Sequence, residues 1–294
     1  MAEAAQKPLP FGFQFLAGAI AGVSEILVMY PLDVVKTRAQ ISTGSNTGIV
    51  STLKTMVKTE GPRSLYRGIL PPIMVEAPKR ATKFAANEQY TALYKKMFGF
   101  EKVTQSLSIL TGVSAGMTEA CLIVPFELIK IRMQDKANIG KYNGTADTFR
   151  KIIAAEGPLA LFNGLEATMW RHAVWNGAYF GLIFTVKDAL PKSKDPNQQR
   201  MTNFAAGTVG GIVATAINTP FDVVKTRIQS YNGVGVKKYN WTLPALATVA
   251  KEEGVASLYR GFLPKVLRLG PGGGILLVVF ETVSSFIRKN ILKD

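Results

Sequence analysis

One decapeptide pattern occurs three times in this chain, about 95 residues apart. It reads Pro31-Leu-Asp33-Val-Val-Lys36-Thr-Arg38-Ala-Gln40, then Pro125-Phe-Glu127-Leu-Ile-Lys130-Ile-Arg132-Met-Gln134, then Pro220-Phe-Asp222-Val-Val-Lys225-Thr-Arg227-Ile-Gln229. Proline, acid, two bases, glutamine and the apolar spacers keep their chemistry in every copy. A self-similar period constrains architecture before any local feature does, because each copy must build the same structural unit. The 294 residues therefore divide into three tandem repeats, 1–100, 101–198 and 199–294, with Pro191 to Pro196 as a short polar linker.

Each repeat opens on a nearly uncharged segment ending at the signature proline. Phe11 to Tyr30 carries Glu25 alone, Gln105 to Val124 carries Glu119 alone, and Met201 to Thr219 carries no charge. About 20 such residues in a helix cross a ~30 Å hydrocarbon core. All three hold a glycine pair at i, i+4 (Gly18/Gly22, Gly112/Gly116, Gly207/Gly211), a spacing that lets helix backbones approach closely in a membrane. In water, glycine-rich apolar helices would be poor helix formers.

After each signature comes a polar loop and a short amphipathic stretch, with Ile49, Val50, Leu53, Met56 and Val57 at helical spacing, as are Phe149, Ile152 and Ile153. A second shared phrase follows: Glu60-Gly61 to Tyr66-Arg67-Gly68, Glu156-Gly157 to Phe162-Asn163-Gly164, and Glu253-Gly254 to Tyr259-Arg260-Gly261. A second long helix begins at each of these last glycines. Two spans per repeat bring every repeat back to the side where it started, so the expected fold is all-α, with six transmembrane helices around a pseudo-threefold axis and short amphipathic helices at one face. The second helices are too polar to face lipid all round, since Glu76, Lys79, Arg80, Lys83 and Glu88 fall within one stretch. Charge at membrane depth is costly and turns inward. Six helices must then enclose an aqueous cavity lined with fixed charge.

Only 19% of residues are charged, yet the net charge is +15. The bases are scattered through apolar segments and form no tail, which excludes nucleic acid and favours anionic solutes and lipids. One cysteine, Cys121, allows no internal disulfide and reads as an inert core thiol. With a single histidine as well, no metal site, catalytic triad or phosphate loop can be assembled, and no enzyme is expected. Met1 to Pro10 has neither a long apolar core nor an Arg-rich amphipathic pattern, so no cleavable presequence is expected.

Proline within a continuing helix removes a hydrogen bond and kinks it. Three equivalent kinks bring the signature ends together, and threefold symmetry then lets each acid meet the base of another repeat: Asp33 with Lys130, Glu127 with Lys225, Asp222 with Lys36. Three independent i,i+3 pairs are the plainer alternative, but nothing local requires them to recur threefold.

These motifs, across the whole chain, resemble the mitochondrial carrier family. The resemblance implies antiport across the inner mitochondrial membrane by a monomer without cofactor, with the six ring residues as a matrix gate. It implies a glutamine brace at Gln40, Gln134 and Gln229. It also implies cardiolipin binding as a structural lipid at Arg67, Gly68, Gly164, Arg260 and Gly261, with Asn163 departing from the pattern. The family's opposite gate also departs: Asn87-Glu88 to Thr91, Phe184-Thr185 to Asp188 and Phe280-Glu281 to Ser284 have no base in the basic position, which predicts a weak cytoplasmic lock.

Substrate choice belongs where the repeats stop matching. The seventh residue after each helix-opening glycine is Val75, Arg171 or Arg268, ~10 Å into each span. Two arginines facing one cavity suit a dicarboxylate held at both ends. His172 follows Arg171, a dipeptide similar to the family's contact signature for keto acids. Glu76, Arg80 and Lys83 share a helix face and complete the expected substrate site, with Lys79 beside them. Glu25 and Glu119, at equivalent positions, have no assigned role. The runs Leu9-Pro10-Phe11, Glu76-Ala-Pro-Lys-Arg80 and Arg268-Leu-Gly-Pro-Gly-Gly-Gly274 resemble those family members that exchange C5–C7 2-oxodicarboxylates, 2-oxoadipate for 2-oxoglutarate. A citrate or plain dicarboxylate carrier, an uncoupling-type uniporter and a membrane scaffold that lost transport are the other readings.

Overall fold

Each signature proline lies inside a helix that continues past it. In the computed structural model, which describes residues 9–42, 48–99, 102–189, 196–233 and 237–292, α1 (Phe11–Ile41) contains Pro31, α4 (Gln105–Gln134) contains Pro125 and α7 (Pro196–Ser230) contains Pro220. The second long helices are α3 (Leu70–Phe98), α6 (Leu165–Ala189) and α9 (Phe262–Ile287). Between the members of each pair lies a twelve-residue helix: α2 (Ile49–Glu60), α5 (Thr145–Glu156) and α8 (Thr242–Glu253). The chain is all-helical, with three repeats of the same element order. Of the linker only Pro196 is described, and it opens α7.

The long helices neighbour one another in chain order around a closed ring, with α9 against α1. The ring is uneven. The α4–α6 pair packs along its length, whereas α1 with α3 and α7 with α9 share less. Glycine explains part of this. A Cβ on Gly112 would meet the Phe180 ring, and one on Gly116 would lie 2.9 Å from the Asn176 amide and 3.1 Å from His172 Cβ. In α1 only Gly22 is crowded, by Glu76 and Arg80, while Gly18 faces open space. A Cβ on Gly207 or Gly211 would meet nothing nearer than 4.0 Å among the described residues, although α7 packs against α6 as extensively as α4 does.

Among the described residues, three segments are apolar and long enough by themselves to cross a membrane: Gly12–Ile41, Gln105–Gln134 and Val255–Leu292. The third covers α9, the second long helix of its repeat.

Each short helix is held to its signature helix in one way. The Arg38 guanidinium grips the Glu60 carboxylate with 2.5 and 2.7 Å contacts. Arg132 grips Glu156 and Arg227 grips Glu253 in the same bidentate manner. Beneath these pairs lie three small apolar cores, Tyr30, Val34 and Met56 in the first repeat, Leu128 and Ile152 in the second, Val224 and Val249 in the third. Val50, Val57 and Phe149 point outward. Cys121 is exposed on α4, not a core thiol.

Candidate functional site

The three kinked helices bring their signature charges into a ring. Lys36 Nζ lies 2.6 Å from Asp222, Lys130 Nζ 3.1 Å from Asp33, and Lys225 Nζ 2.8 Å from Glu127. Each pair joins two different repeats, as the symmetry argument required. Asp222 and Lys225 are almost fully buried, whereas the side chains of Lys36 and Glu127 stay about a quarter exposed.

The glutamines do not act alike. Gln40 donates to Asp222 at 2.9 Å and accepts from Thr226 at 2.9 Å, bracing one ring acid. Gln134 instead donates to the Tyr30 hydroxyl at 3.0 Å, and Gln229 reaches Thr168 at 3.4 Å. Tyr30 intercepts Gln134 because its ring lies under Lys130, whose Nζ is 5.3 Å from the centroid. The threefold brace reduces to one direct brace.

Arg171 and Arg268 do not stand free in the cavity. Arg268 donates to Asp33 at 2.5 Å and to Glu25 at 2.9 Å. Arg171 donates to Glu127 at 3.4 Å, lies 3.9 Å from Asp222, and donates at 2.8 Å to Nε2 of His172. That last bond makes Nε2 an acceptor and leaves the ring proton on Nδ1. Both arginines are therefore bound to acids of the ring itself. Helical counting gave their depth but not their partners, because the acids lie on other helices, 44 residues away for Arg171 and 235 for Arg268, and leave no signature in local spacing.

A cavity of about 380 Å³ is lined by Glu25, Asp33, Lys36, Lys265, Arg268 and Trp175, among others. Lys265 and Trp175 were missed. Lys265 Nζ lies 3.4 Å from Asp222, and its counterparts four residues after the opening glycine are Pro72 and Thr168. The same search for repeat asymmetry that found the arginines would have found it. The expected cluster on α3 is split. Glu76 is buried and clamped by both Lys79 and Arg80, the latter at 2.7 Å, whereas Lys83 is exposed.

The glycines of the second phrase sit at the seams between repeats. Gly68, Gly164 and Gly261 all have positive φ, from 74° to 82°, which favours glycine. A Cβ on Gly68 would lie 3.2 Å from the Lys130 carbonyl oxygen, one on Gly164 2.7 Å from Gln229 Cγ, and one on Gly261 3.1 Å from the Lys36 carbonyl oxygen. Arg67 Nη1 is buried without a hydrogen-bond partner among the described residues. Arg260 bonds the Ser42 carbonyl and lies 3.5 Å from Glu253. Asn163 accepts from Lys237 at 3.4 Å.

At the opposite end, Glu88 and Glu281 are exposed. Neither has an ion-pair partner among the described residues. Thr91 donates to the Asn87 carbonyl at 2.7 Å, and the Ser284 hydroxyl is buried. The side chains of Phe184, Thr185 and Asp188 lie outside the described residues.

The sequence model described as "Mitochondrial carrier protein" matches this chain three times, over residues 7–98, 101–194 and 197–291. The chain belongs to the mitochondrial carrier family. It is thus a multi-pass transporter of the inner mitochondrial membrane, and its three matches coincide with the three helical repeats. Similar proteins include the mitochondrial citrate transporter D of Aspergillus niger, 60% identical with 96% of each chain covered. The mitochondrial 2-oxodicarboxylate carrier 2 of Saccharomyces cerevisiae is 52% identical, again over 96% of each. The mitochondrial 2-oxodicarboxylate carrier of Homo sapiens is 42% identical over 94% of this chain and 95% of its own.

Proposed function

We propose that this carrier exchanges C5–C7 2-oxodicarboxylates, 2-oxoadipate for 2-oxoglutarate, by alternating access. The observation that carries the reading is the placement of Arg171 and Arg268 on the ring acids Glu127 and Asp33, with Arg268 and Asp33 lining a cavity. Guanidinium groups pair bidentately with carboxylates. A dianion entering the cavity offers each arginine a new partner and draws it off its ring acid. The ring then loses two of the cations holding it together, while its own Lys–acid pairs remain. Binding energy is thereby spent on opening the gate, which is the differential interaction any ligand-driven transition needs. In this reading the ring re-forms when a counter-substrate is carried back, which makes the transport an exchange. The names of the relatives from Saccharomyces cerevisiae and Homo sapiens support the 2-oxodicarboxylate assignment.

The six ring residues are the matrix gate in this reading, Gln40 its brace, and His172 the group that orients Arg171. Cardiolipin is the lipid we propose at the seams, where Arg67 Nη1, without a hydrogen-bond partner among the described residues, favours a phosphate. The working unit is a monomer, because the cavity is complete within one chain. A citrate carrier is the second reading, favoured by the 60% identical relative and by Lys265, a third base at the cavity wall.

The test is uptake of labelled 2-oxoadipate into liposomes holding the purified protein, with and without internal 2-oxoglutarate. Uptake in loaded vesicles only, abolished in Arg171→Ala, is expected. Uptake into empty vesicles would mean a uniporter, and uptake of citrate alone would select the second reading.

A further inference from the structure

Glu119 is a buried acid that the gate does not use. It lies on α4 six residues before Pro125 and is 4% exposed. Its first-repeat counterpart, Glu25, lines the cavity and accepts from Arg268 at 2.9 Å; its third-repeat counterpart is Ala214. Among the described residues Glu119 has no such base. Its Oε2 is buried with no hydrogen-bond partner among the described residues. The charges that act on it are Lys83 and Lys79 from α3, Arg171 from α6 and Glu127 from its own helix. Lys79 is committed to Glu76 and Arg171 to Glu127, while Lys83 is exposed. His172 and Asn176 of α6 pack on Gly116, one turn away. Helices α1 and α7 meet α4 in the region of the ring, bringing Asp33, Lys36, Asp222 and Lys225.

A buried carboxylate without a donor is costly as an ion and settles either by pairing or by taking a proton. We propose that Glu119 is a proton-binding group of the transport cycle, taking up one proton when the dianion occupies the neighbouring cations and releasing it when the dianion leaves. The reason is competition. A dianion that engages Arg171 and the α3 bases removes the positive charge that favours the Glu119 anion and adds negative charge beside it. An O–H bond then forms at the Glu119 carboxyl with a proton from the water-filled side. The bond breaks when substrate departs on the other side. Linkage is reciprocal, so protonation tightens substrate binding by the same factor by which substrate favours protonation.

The inference rests on the dicarboxylate reading, and the experiment separates the two. Binding of 2-oxoadipate to the detergent-solubilised carrier is measured by calorimetry in buffers of different ionisation enthalpy, at pH values where the substrate is fully ionised. Uptake of about one proton per bound dianion is expected, with affinity weakening by at most about tenfold per pH unit as pH rises. Glu119→Gln should bind without proton uptake and without that slope, and Glu119→Asp should restore both. Wild-type binding without proton uptake overturns the inference alone, as does an unchanged slope in Glu119→Gln. No binding of 2-oxoadipate at any pH overturns the dicarboxylate reading and this inference with it.

Discussion

The Arg268 guanidinium lies 2.5 Å from the Asp33 carboxylate, 235 residues away in sequence. One group expected to hold substrate thus also holds the gate. If it serves both, Arg268→Ala should lower exchange by roughly tenfold or more, since truncating one member of a buried charge pair strands the other. Arg268→Lys should recover only part, because an ammonium cannot span Asp33 and Glu25 as a planar fork does. Initial rates over a substrate series would check both. A wild-type rate in Arg268→Ala would remove Arg268 from the site.

The ring pairing is open to a charge swap. Lys36→Asp alone places two acids together at Asp222 and should abolish most transport. Lys36→Asp with Asp222→Lys should recover a measurable fraction of the exchange rate. Recovery will be incomplete, because Gln40 and Lys265 also contact Asp222 and would face a base instead of an acid. No recovery at all would argue that the 2.6 Å contact does not matter to transport.

The seam glycines predict a stability contrast. Gly261→Ala forces a side chain into a left-handed backbone and against the Lys36 carbonyl, 3.1 Å from the new Cβ. Gly99→Ala imposes a similar backbone, φ 68°, but meets nothing within 4 Å. The first should cost about 1–3 kcal/mol more than the second, combining strain with overpacking. Thermal unfolding in detergent, read by the fluorescence of Trp170, Trp175 and Trp241, would show the difference as a lower midpoint for Gly261→Ala.

Acid should loosen the matrix helices first. Hydrogen bonds from Arg38 hold the Glu60 carboxyl below its ordinary range, and those from Arg227 do the same for Glu253. A depressed folded-state value means stability that is present above the unfolded value and lost as pH falls through the folded one. Melting midpoints should therefore decline as pH falls below the ordinary carboxylate range. Glu60→Gln with Glu253→Gln should be less stable at neutral pH and show a shallower decline. An unchanged acid slope in the double variant would place the sensitivity elsewhere.

Much of the site was legible because it repeats. The acid and base at three-residue spacing recur at the same register, so symmetry alone paired Lys36 with Asp222 and Lys225 with Glu127. The Arg–Glu pairs that anchor α2, α5 and α8 recur as well, yet they went unpaired. Arg38 and Glu60 belong to separate phrases, and only the return of the short helix brings them together. The glutamines show the opposite failure. Gln40, Gln134 and Gln229 occupy identical places in sequence, but only in the first repeat does the neighbouring repeat offer a ring acid in reach; Tyr30 and Thr168 take the other two.

Period, hydropathy and proline position determined three repeats, paired long helices and a charged ring, because these follow from local chemistry repeated in register. Only the tertiary structure decided which cations answer which acids: Arg171 on Glu127, Arg268 on Asp33 and Glu25, Lys265 on Asp222, and Glu119 without a base among the described residues. A charge chooses its partner by distance across several helices, and distances between residues from about forty to more than two hundred positions apart are set by packing, which no single stretch of sequence contains.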